Sequence, residues 1–407
     1  MKIYKNARIL TLAEKGLIES GVVVVDGAKI AGVYDVAEFD ATQYPTAEVI
    51  DLGGKFVMPG LINGHHHSAM WRNYGKITAF NHDSATQALM CARLALSALR
   101  HGILAIRDLG HKGDGHMQLK ECRDRGVILA PKIRGAGELI GMDWGTAPSF
   151  TNPCKTPEDV RAEVMRQAAH KSDFIKVIAN NERMTHIDYE DMTCPWFTQE
   201  MMDAAVETAH MCGLKVAVHA NGRTAVNWCI NSGADIVEHG RCISLDMAKQ
   251  MADKGMILCP TLSGQKNNAT PGWGRDDIQP RYEKSWPLLV YTMENCMKAG
   301  VKMIAGTDCL GTVCQEICLL VEVGGMTPLE AIRCATINNA EVMGMDKEIG
   351  TLETGKCADF IVVDGDPLTN PACLEDNVKF FSLDGKWYDT AWLAAITPEC
   401  NYWTPGF

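Results

Sequence analysis

Short apolar runs closed by Asp-Gly turns occur at both ends of the chain. Near the N-terminus, the run Gly-Val-Val-Val-Val at 21–25 is followed by Asp26 and Gly27, which favour a tight hairpin turn. Toward the C-terminus, similar runs at 359–363 and 378–383 are each followed by another Asp-Gly pair. Both ends therefore predict strands, and we expect residues 1–57 and 349–407 to form the two parts of one small β-sandwich.

The middle of the chain alternates between strand-like and helical patterns. Apolar runs of strand length occur at 55–61, 103–107, 132–135, 174–178, 215–218, 235–237, 256–259 and 302–304. Helical periodicity occupies 85–100, 157–170, 199–212, 225–231, 245–254, 282–298 and 328–343. Some of these helices begin with an N-cap and a proline, as at Thr156-Pro157 and Thr327-Pro328. The alternation predicts an α/β fold, a (β/α)₈ TIM barrel over residues 58–348, with functional groups at the C-terminal ends of its strands.

Three consecutive histidines stand at the end of the first of these strands. His65 and His67 are two residues apart, so an extended backbone points both side chains to one face while His66 points to the other. Two imidazoles on one face can bind one metal ion. The alternative is a surface polyhistidine patch, which the position of the triplet directly after an apolar strand disfavours.

A lysine, Lys176, lies inside the apolar run of the fourth strand, where a buried charge would be costly. Burial lowers the pKa of an amine, and a neutral amine can add carbon dioxide to become a carbamate that bridges two metal ions. A lysine that reaches solvent along its aliphatic stem, or that pairs with a carboxylate, fits the sequence equally well.

Further candidate ligands follow later strands. His219 ends the fifth strand and His239 the sixth, while Asp308 follows the eighth after Gly306 and Thr307. A single histidine of this kind is more often a core residue, but two at consecutive strand ends in the same predicted barrel as His65 favour a metal site. A carboxylate in this position can bind metal and accept a proton from water.

These motifs together resemble the amidohydrolase superfamily over essentially the whole chain. The matching features are the segment Pro-Gly-Leu-Ile-Asn-Gly-His-His-His at 59–67, the four later candidate ligands, Asn338-Asn339-Ala340, and the stretch at 350–364. Within the superfamily, Lys176 and the segments around His219 and His239 are most similar to the binuclear Xaa-Pro and Xaa-Arg dipeptidases, a prolidase-like branch. The deaminase branch usually lacks the lysine and carries a glutamate shortly after the fifth-strand histidine, where this chain has Asn221, Gly222 and Arg223.

The resemblance implies a binuclear centre and a division of labour among its ligands. His65, His67 and Asp308 would hold one metal ion, His219 and His239 the other, and Lys176, as N6-carboxylysine, would bridge the two. A bridging hydroxide would attack the carbonyl, and Asp308 would transfer its proton to the leaving nitrogen. Two divalent ions are expected, with zinc favoured by the imidazole ligands.

The substrate is less well defined by the sequence. Relative to the dipeptidase pattern, Asn63 replaces an aspartate, Asn221 replaces a histidine, and the loop at 141–145 lacks a histidine. A dipeptide or N-acyl amino acid is favoured; the alternatives are a cyclic amide or imidazolone-like ring, and a barrel that binds a metal or ligand without catalysis. Candidate substrate contacts are Trp144, Arg223 and Tyr282, which could equally pack loops or cap a helix.

Composition limits the classes of partner. The 407 residues carry a formal net charge of −11 with acidic and basic residues mixed, so no basic stripe for nucleic acid is expected. The 16 cysteines are scattered, which favours reduced thiols over a disulfide framework. The sequence contains neither a signal-peptide pattern nor an apolar run of membrane-spanning length. We therefore expect a cytoplasmic enzyme that acts on a small molecule without membrane contact, and a homo-oligomer.

Overall fold

The computed structural model describes residues 1–73, 76–79, 83–142, 151–180, 197–272 and 279–397. The strands, numbered in chain order, are β1 Lys2–Leu10, β2 Leu17–Asp26, β3 Lys29–Asp35, β4 Glu48–Asp51, β5 Phe56–Pro59, β6 Leu61–His66, β7 Met70–Asn73, β8 Lys76–Ala79, β9 Ile103–Asp108, β10 Lys132–Gly135, β11 Leu139–Gly141, β12 Thr151–Pro153, β13 Ile175–Ile178, β14 Val216–Ala220, β15 Ile236–His239, β16 Ile257–Cys259, β17 Lys302–Met303, β18 Phe360–Val363, β19 Val378–Leu383 and β20 Lys386–Asp389. The α-helices are α1 Ser84–Arg100, α2 Gly115–Asp124, α3 Pro157–Ala169, α4 Gln199–Met211, α5 Arg223–Ser232, α6 Leu245–Asp253, α7 Leu262–Ala269, α8 Gln279–Ala299, α9 Val313–Glu322, α10 Pro328–Cys334, α11 Ile337–Val342 and α12 Thr390–Ile396.

Strands from both ends of the chain share one eight-stranded sheet. Its order is β20-β19-β18-β5-β1-β2-β3, and β4 pairs with β1 beside this path. The two ends meet where β18 runs antiparallel to β5, with Val362 opposite Val57. Strands from the two ends of the chain therefore pair in one sheet, as the sequence predicts. A two-sheet sandwich and the domain boundaries at 57/58 and 348/349 stay predictions.

The middle of the chain is α/β, with parallel strands in an arrangement like that of a TIM barrel. One sheet has the order β10-β9-β6, and a second runs β12-β11-β13-β14-β15-β16-β17. Two isolated parallel bridges connect these sheets: Ala136 pairs with Phe174, and His66 pairs with Asp308. Because the strands are parallel, their C-terminal ends lie on the same side, and this brings His66 next to Asp308.

Two predicted elements are divided in the structure. The run at 55–61 is split, since Phe56–Pro59 pairs with β1 and β18 whereas Leu61–His66 pairs with β9. Helix 328–343 is also two helices, because Asn339 donates hydrogen bonds to Ile62 O and Ala305 O, which hold α11 against the strands. An apolar pattern indicates which residues are buried but not which element they pack against. Neither division could therefore be predicted from the sequence.

The helix starts at the two Thr-Pro pairs are confirmed. Thr156 and Thr327 each form a capping box, with Asp159 and Glu330 respectively, and a proline occupies the first turn. Four of the described helices were absent from the predicted set: α2, α7, α9 and α12. Within the part of the chain that the structure describes, no helix is long and apolar enough to span a membrane.

Candidate metal centre

Four histidines and an aspartate come together at the C-terminal ends of the parallel strands. Nε2 of His65 lies 3.9 Å and Nε2 of His67 3.7 Å from Oδ1 of Asp308. The ring centroid of His239 is 5.0 Å from that of His65 and 4.6 Å from that of His219. The histidines are all buried, whereas the Asp308 side chain keeps 18% of its surface exposed. The cluster therefore has one side chain that still reaches solvent.

The orientation of three imidazoles is set by hydrogen bonds at Nδ1. Nδ1 of His65 lies 2.6 Å from Oε2 of Glu238, and Nδ1 of His67 donates to Gly110 O at 2.7 Å. Nδ1 of His239 lies 2.7 Å from the hydroxyl of Thr261. With Nδ1 engaged in each ring, Nε2 is the nitrogen left for a ligand, which is how metal-binding histidines are usually oriented.

Burial keeps these rings in the neutral form that metal binding requires. It lowers the pKa of His65 to about 4, against the opposing effect of Glu238. Burial also lowers the pKa of His67, and that of His239 lies well below its usual value because of burial and the neighbouring His219. Near neutral pH each of the three therefore has a lone pair available.

Lys176 lies on β13 close to these histidines. Its side chain is almost fully buried, and within the described residues its Nζ has no hydrogen-bond partner. Burial, partly opposed by Glu238, lowers the pKa of Lys176 to about 8. A buried amine with this pKa is in part neutral near pH 8, the form that reacts with carbon dioxide.

The spacing of the ligand atoms fits a divalent ion. Donor atoms bound about 2.0–2.2 Å from one ion lie roughly 3–4 Å from each other. The distances from Asp308 to the His65 and His67 nitrogens fall in this range, and all three ligand atoms lie within 4.8 Å of one another. Neutral imidazoles, a carboxylate and an unpartnered buried amine make a donor set suited to zinc.

The backbone around the cluster is unusual. His239 and Asp308 have φ values of 68° and 57°, a left-handed conformation that non-glycine residues seldom adopt. Gly306 allows the close approach of the chain beside them, since a Cβ there would lie 2.5 Å from His65 Cβ and 2.7 Å from Cys259 Sγ. Strain of this kind concentrates at functional sites.

Two charged residues beneath the cluster were not predicted from the sequence. Glu238, which is fully buried on β15, accepts hydrogen bonds from both His65 and Arg107. Burial alone would raise the pKa of Glu238, but Arg107 and His65 hold it well below its usual range. Arg107 also donates from Nε to Gly64 O at 2.6 Å. The sequence did contain a sign of Glu238, because a charged residue stands inside an otherwise apolar strand directly before His239.

The remaining predicted residues lie in different settings. Arg223 is the first residue of α5 and is exposed, and Tyr282 is a half-buried residue of α8 whose ring lies 4.7 Å from the Arg241 guanidinium. Trp144 lies outside the described residues. Asn63, where an aspartate was expected, accepts from the main-chain N–H groups of His65 and Thr307 at 3.2 Å each, so it holds the two ligand-bearing segments together.

Comparison with known proteins gives consistent matches. The sequence pattern of the Amidohydrolase family matches residues 56–388. An ochratoxinase from Aspergillus niger is 26% identical over 352 residues, which cover 77% of this chain and 71% of that protein. An imidazolonepropionase from Pseudomonas fluorescens is 25% identical over 396 residues, covering 88% of this chain and 92% of that protein. Among solved structures, a Xaa-Pro dipeptidase with bound methionine in the active site has a TM-score of 0.84 at 25% identity, covering 95% of this chain and 99% of that one.

Proposed function

Because this chain belongs to the amidohydrolase family and is a hydrolase of carbon–nitrogen bonds, we propose that it cleaves an amide bond of a small molecule at a binuclear metal centre. The observation that carries this is the set of imidazole Nε2 atoms facing Asp308 beside the unpartnered amine of Lys176. His65, His67 and Asp308 would hold one ion, His219 and His239 the other. Lys176, carboxylated, would bridge them.

The chain's own residues have distinct roles in this proposal. Two divalent ions, zinc in the first instance, would polarise the scissile carbonyl and supply hydroxide near neutral pH. Asp308 is suited to hold the proton released during attack and to pass it to the leaving nitrogen, since its carboxylate is the partly exposed member of the cluster. Glu238 and Gly110 fix the rings of His65 and His67 so that Nε2 stays directed inward.

A closed eight-stranded barrel over residues 58–348 is the scaffold that we propose for this site. The parallel bridges Ala136–Phe174 and His66–Asp308 support it, because they connect both edges of the three-stranded sheet, next to β10 and at β6, to segments beside β13 and after β17 of the other parallel sheet. In such a barrel the loops after the strands select the substrate. Besides those loops, Arg223 at the start of α5 and Tyr282 of α8 are candidate contacts.

A dipeptide or N-acyl amino acid is our first choice of substrate, supported by the likeness to the Xaa-Pro dipeptidase structure. The match to imidazolonepropionase over most of both chains favours a second candidate, a cyclic amide or imidazolone-like ring. The two differ in a measurable way. Panels of dipeptides and N-acyl amino acids should be compared with lactams and cyclic ureides by kcat/KM, and the class with the higher values identifies the substrate type.

Metal stoichiometry tests the centre itself. Stripped protein titrated with zinc should bind two ions per chain and regain amide hydrolysis as the second ion is bound. The matched variant His219→Asn should bind one ion fewer, because His219 is proposed as a ligand of the second ion. Binding of a single ion by the unmodified chain, with full activity, would contradict the binuclear proposal.

A further inference from the structure

A cavity, which we call the N-terminal pocket, lies at the opposite ends of the parallel strands from the metal centre. It has a volume of about 240 Å³, and its lining includes Arg107, Arg134, Asp173, Phe174 and Lys215. Phe174 directly precedes β13 and Lys215 directly precedes β14, so the pocket is at the N-terminal ends of these strands. It is therefore distinct from the cluster around Asp308.

Arg107 lies between the metal centre and the N-terminal pocket. Its Nη2 contacts Glu238, its Nε donates to Gly64 O, and its guanidinium is 5.3 Å from the centroid of the Phe174 ring. Nη1 is buried and has no hydrogen-bond partner among the described residues. A buried guanidinium nitrogen with unused donors is costly, and an oxyanion is the ligand that best matches it.

The charges around the N-terminal pocket are mostly positive. Three of its lining residues are cations and one, Asp173, is an anion that already accepts from Arg134 Nη1 at 3.2 Å and from Gly135 N at 2.8 Å. At the neighbouring strand end, the pKa of Lys302 is lowered by burial and by the positive charges of Lys215 and Arg333. Glu238 balances Arg107 from the metal side, which leaves Lys215 as an exposed cation at the mouth.

We propose that the N-terminal pocket binds a tetrahedral oxyanion, with sulfate or phosphate as the simplest examples. Arg107 would donate to it from Nη1, while Arg134 and Lys215 would supply the surrounding positive charge. Planar and tetrahedral oxyanions both accept from guanidinium groups, but a doubly charged tetrahedral ion is attracted more strongly than a carboxylate by a lining in which cations outnumber anions. This site goes beyond the proposed hydrolysis and does not depend on it.

Calorimetric titration of the full-length, metal-loaded protein with sulfate at constant ionic strength tests the proposal. We expect one saturable site per chain that the Lys215→Met variant weakens by about tenfold, with a similar loss in Arg134→Met. Lys254→Met is the matched control, because Lys254 is also exposed and also donates to a main-chain carbonyl, yet it does not line the pocket. Its affinity for sulfate should equal that of the unmodified protein.

The controls separate this site from the metal centre. Sulfate held by the metal ions would bind Lys215→Met as tightly as the unmodified chain, and that result overturns the proposal, as does the lack of saturable binding. Acetate should bind more weakly than sulfate, and equal or tighter binding of acetate would refute the tetrahedral assignment. Each of these outcomes leaves the zinc stoichiometry, and hence the proposed function, to be judged separately.

Discussion

At the scale of single residues, Glu238 connects the candidate metal centre to the interior of the fold. Its two carboxylate oxygens accept from His65 on one side and Arg107 on the other, in a fully buried setting. A carboxylate that orients a metal-binding imidazole also raises its basicity. Glu238 should therefore influence metal affinity although it is not itself one of the proposed ligands.

Replacing Glu238 with glutamine should weaken zinc binding about 10–100-fold, because the hydrogen bond that orients His65 becomes neutral. Competition with a chromogenic chelator measures this change. Asp359→Asn is the matched control, since Asp359 is likewise a buried carboxylate paired with a cation, Lys132, but does not contact a proposed ligand. An affinity for zinc that stays the same in Glu238→Gln would mean that His65 is oriented by other contacts.

The proposed bridging role of Lys176 gives a second prediction at this scale. Lys176→Ala should lose activity, because the cavity left by the side chain holds no anionic oxygen to join the two metal ions. Acetate or propionate should restore part of the activity, since a small carboxylate can enter the space and supply those oxygens. Chloride at the same ionic strength is the control, and turnover unaffected by the substitution would exclude a ligand role.

At the scale of elements, α7 lies next to the candidate metal centre and is held in place by α9. Glu316 of α9 accepts from the N–H groups of Leu262 and Ser263 at 2.9 and 2.6 Å, which anchors the first turn of α7. The residue before this helix, Thr261, contacts His239. Burial raises the pKa of Glu316 to about 7, although the hydrogen bonds from Ser263 and Leu262 oppose the shift.

This raised pKa predicts a pH-dependent stability. A carboxyl whose folded pKa exceeds its unfolded value stabilises the fold when protonated, and the contribution is lost as pH rises through the folded pKa. The free energy of unfolding of the unmodified protein, minus that of Glu316→Gln, should fall by about 3 kcal/mol between pH 4.5 and about 7. Denaturant titrations across this range measure the difference, and a difference that rises with pH would show that the helix N–H groups outweigh burial.

Sequence patterns predicted the elements better than their partners. The strands that end in His219 and His239 and the helix after Thr156 agree with the structure to within a few residues, whereas the helix after Thr327 begins as predicted but ends at Cys334. The run at 55–61 was assigned to one strand, although two sheets share it, because both halves are equally apolar. Helix α7 was missed because its sequence is mostly polar although the helix is largely buried, so no apolar stripe of helical period marks it.

At the scale of the whole molecule, Lys132 joins the parallel strands to the terminal sheet. The ammonium group of this β10 residue contacts the carboxylates of Asp359, beside β18, and Asp384, after β19. With Cys357 these two aspartates form a group that could ligate a metal, but the lysine already supplies the positive charge there. Asp359 and Asp384 raise the pKa of Lys132 although burial opposes them, so the bridge stays charged near neutral pH.

Lys132→Met should lower the free energy of unfolding by about 3 kcal/mol, because Asp359 would be left as a buried anion without its partner. Adding Asp359→Asn should recover part of the loss by removing that charge. Lys2→Met, which breaks an exposed pair with Glu48, is the control and should cost less than about 1 kcal/mol. Equal effects of the two lysine substitutions would show that the Lys132 bridge contributes no more than a surface ion pair.

The sequence by itself determined which residues are available for chemistry and on which strand ends they lie. Histidines with a spacing of two residues share a face, and parallel strands place their last residues together, so His65, His67 and Asp308 could be grouped before any coordinates. The tertiary structure alone decided that Glu238 orients His65, that Arg107 links the centre to the N-terminal pocket, and that Lys132 joins the sheets. These contacts pair residues more than a hundred positions apart, and local periodicity carries information about the face of an element but none about its distant partner.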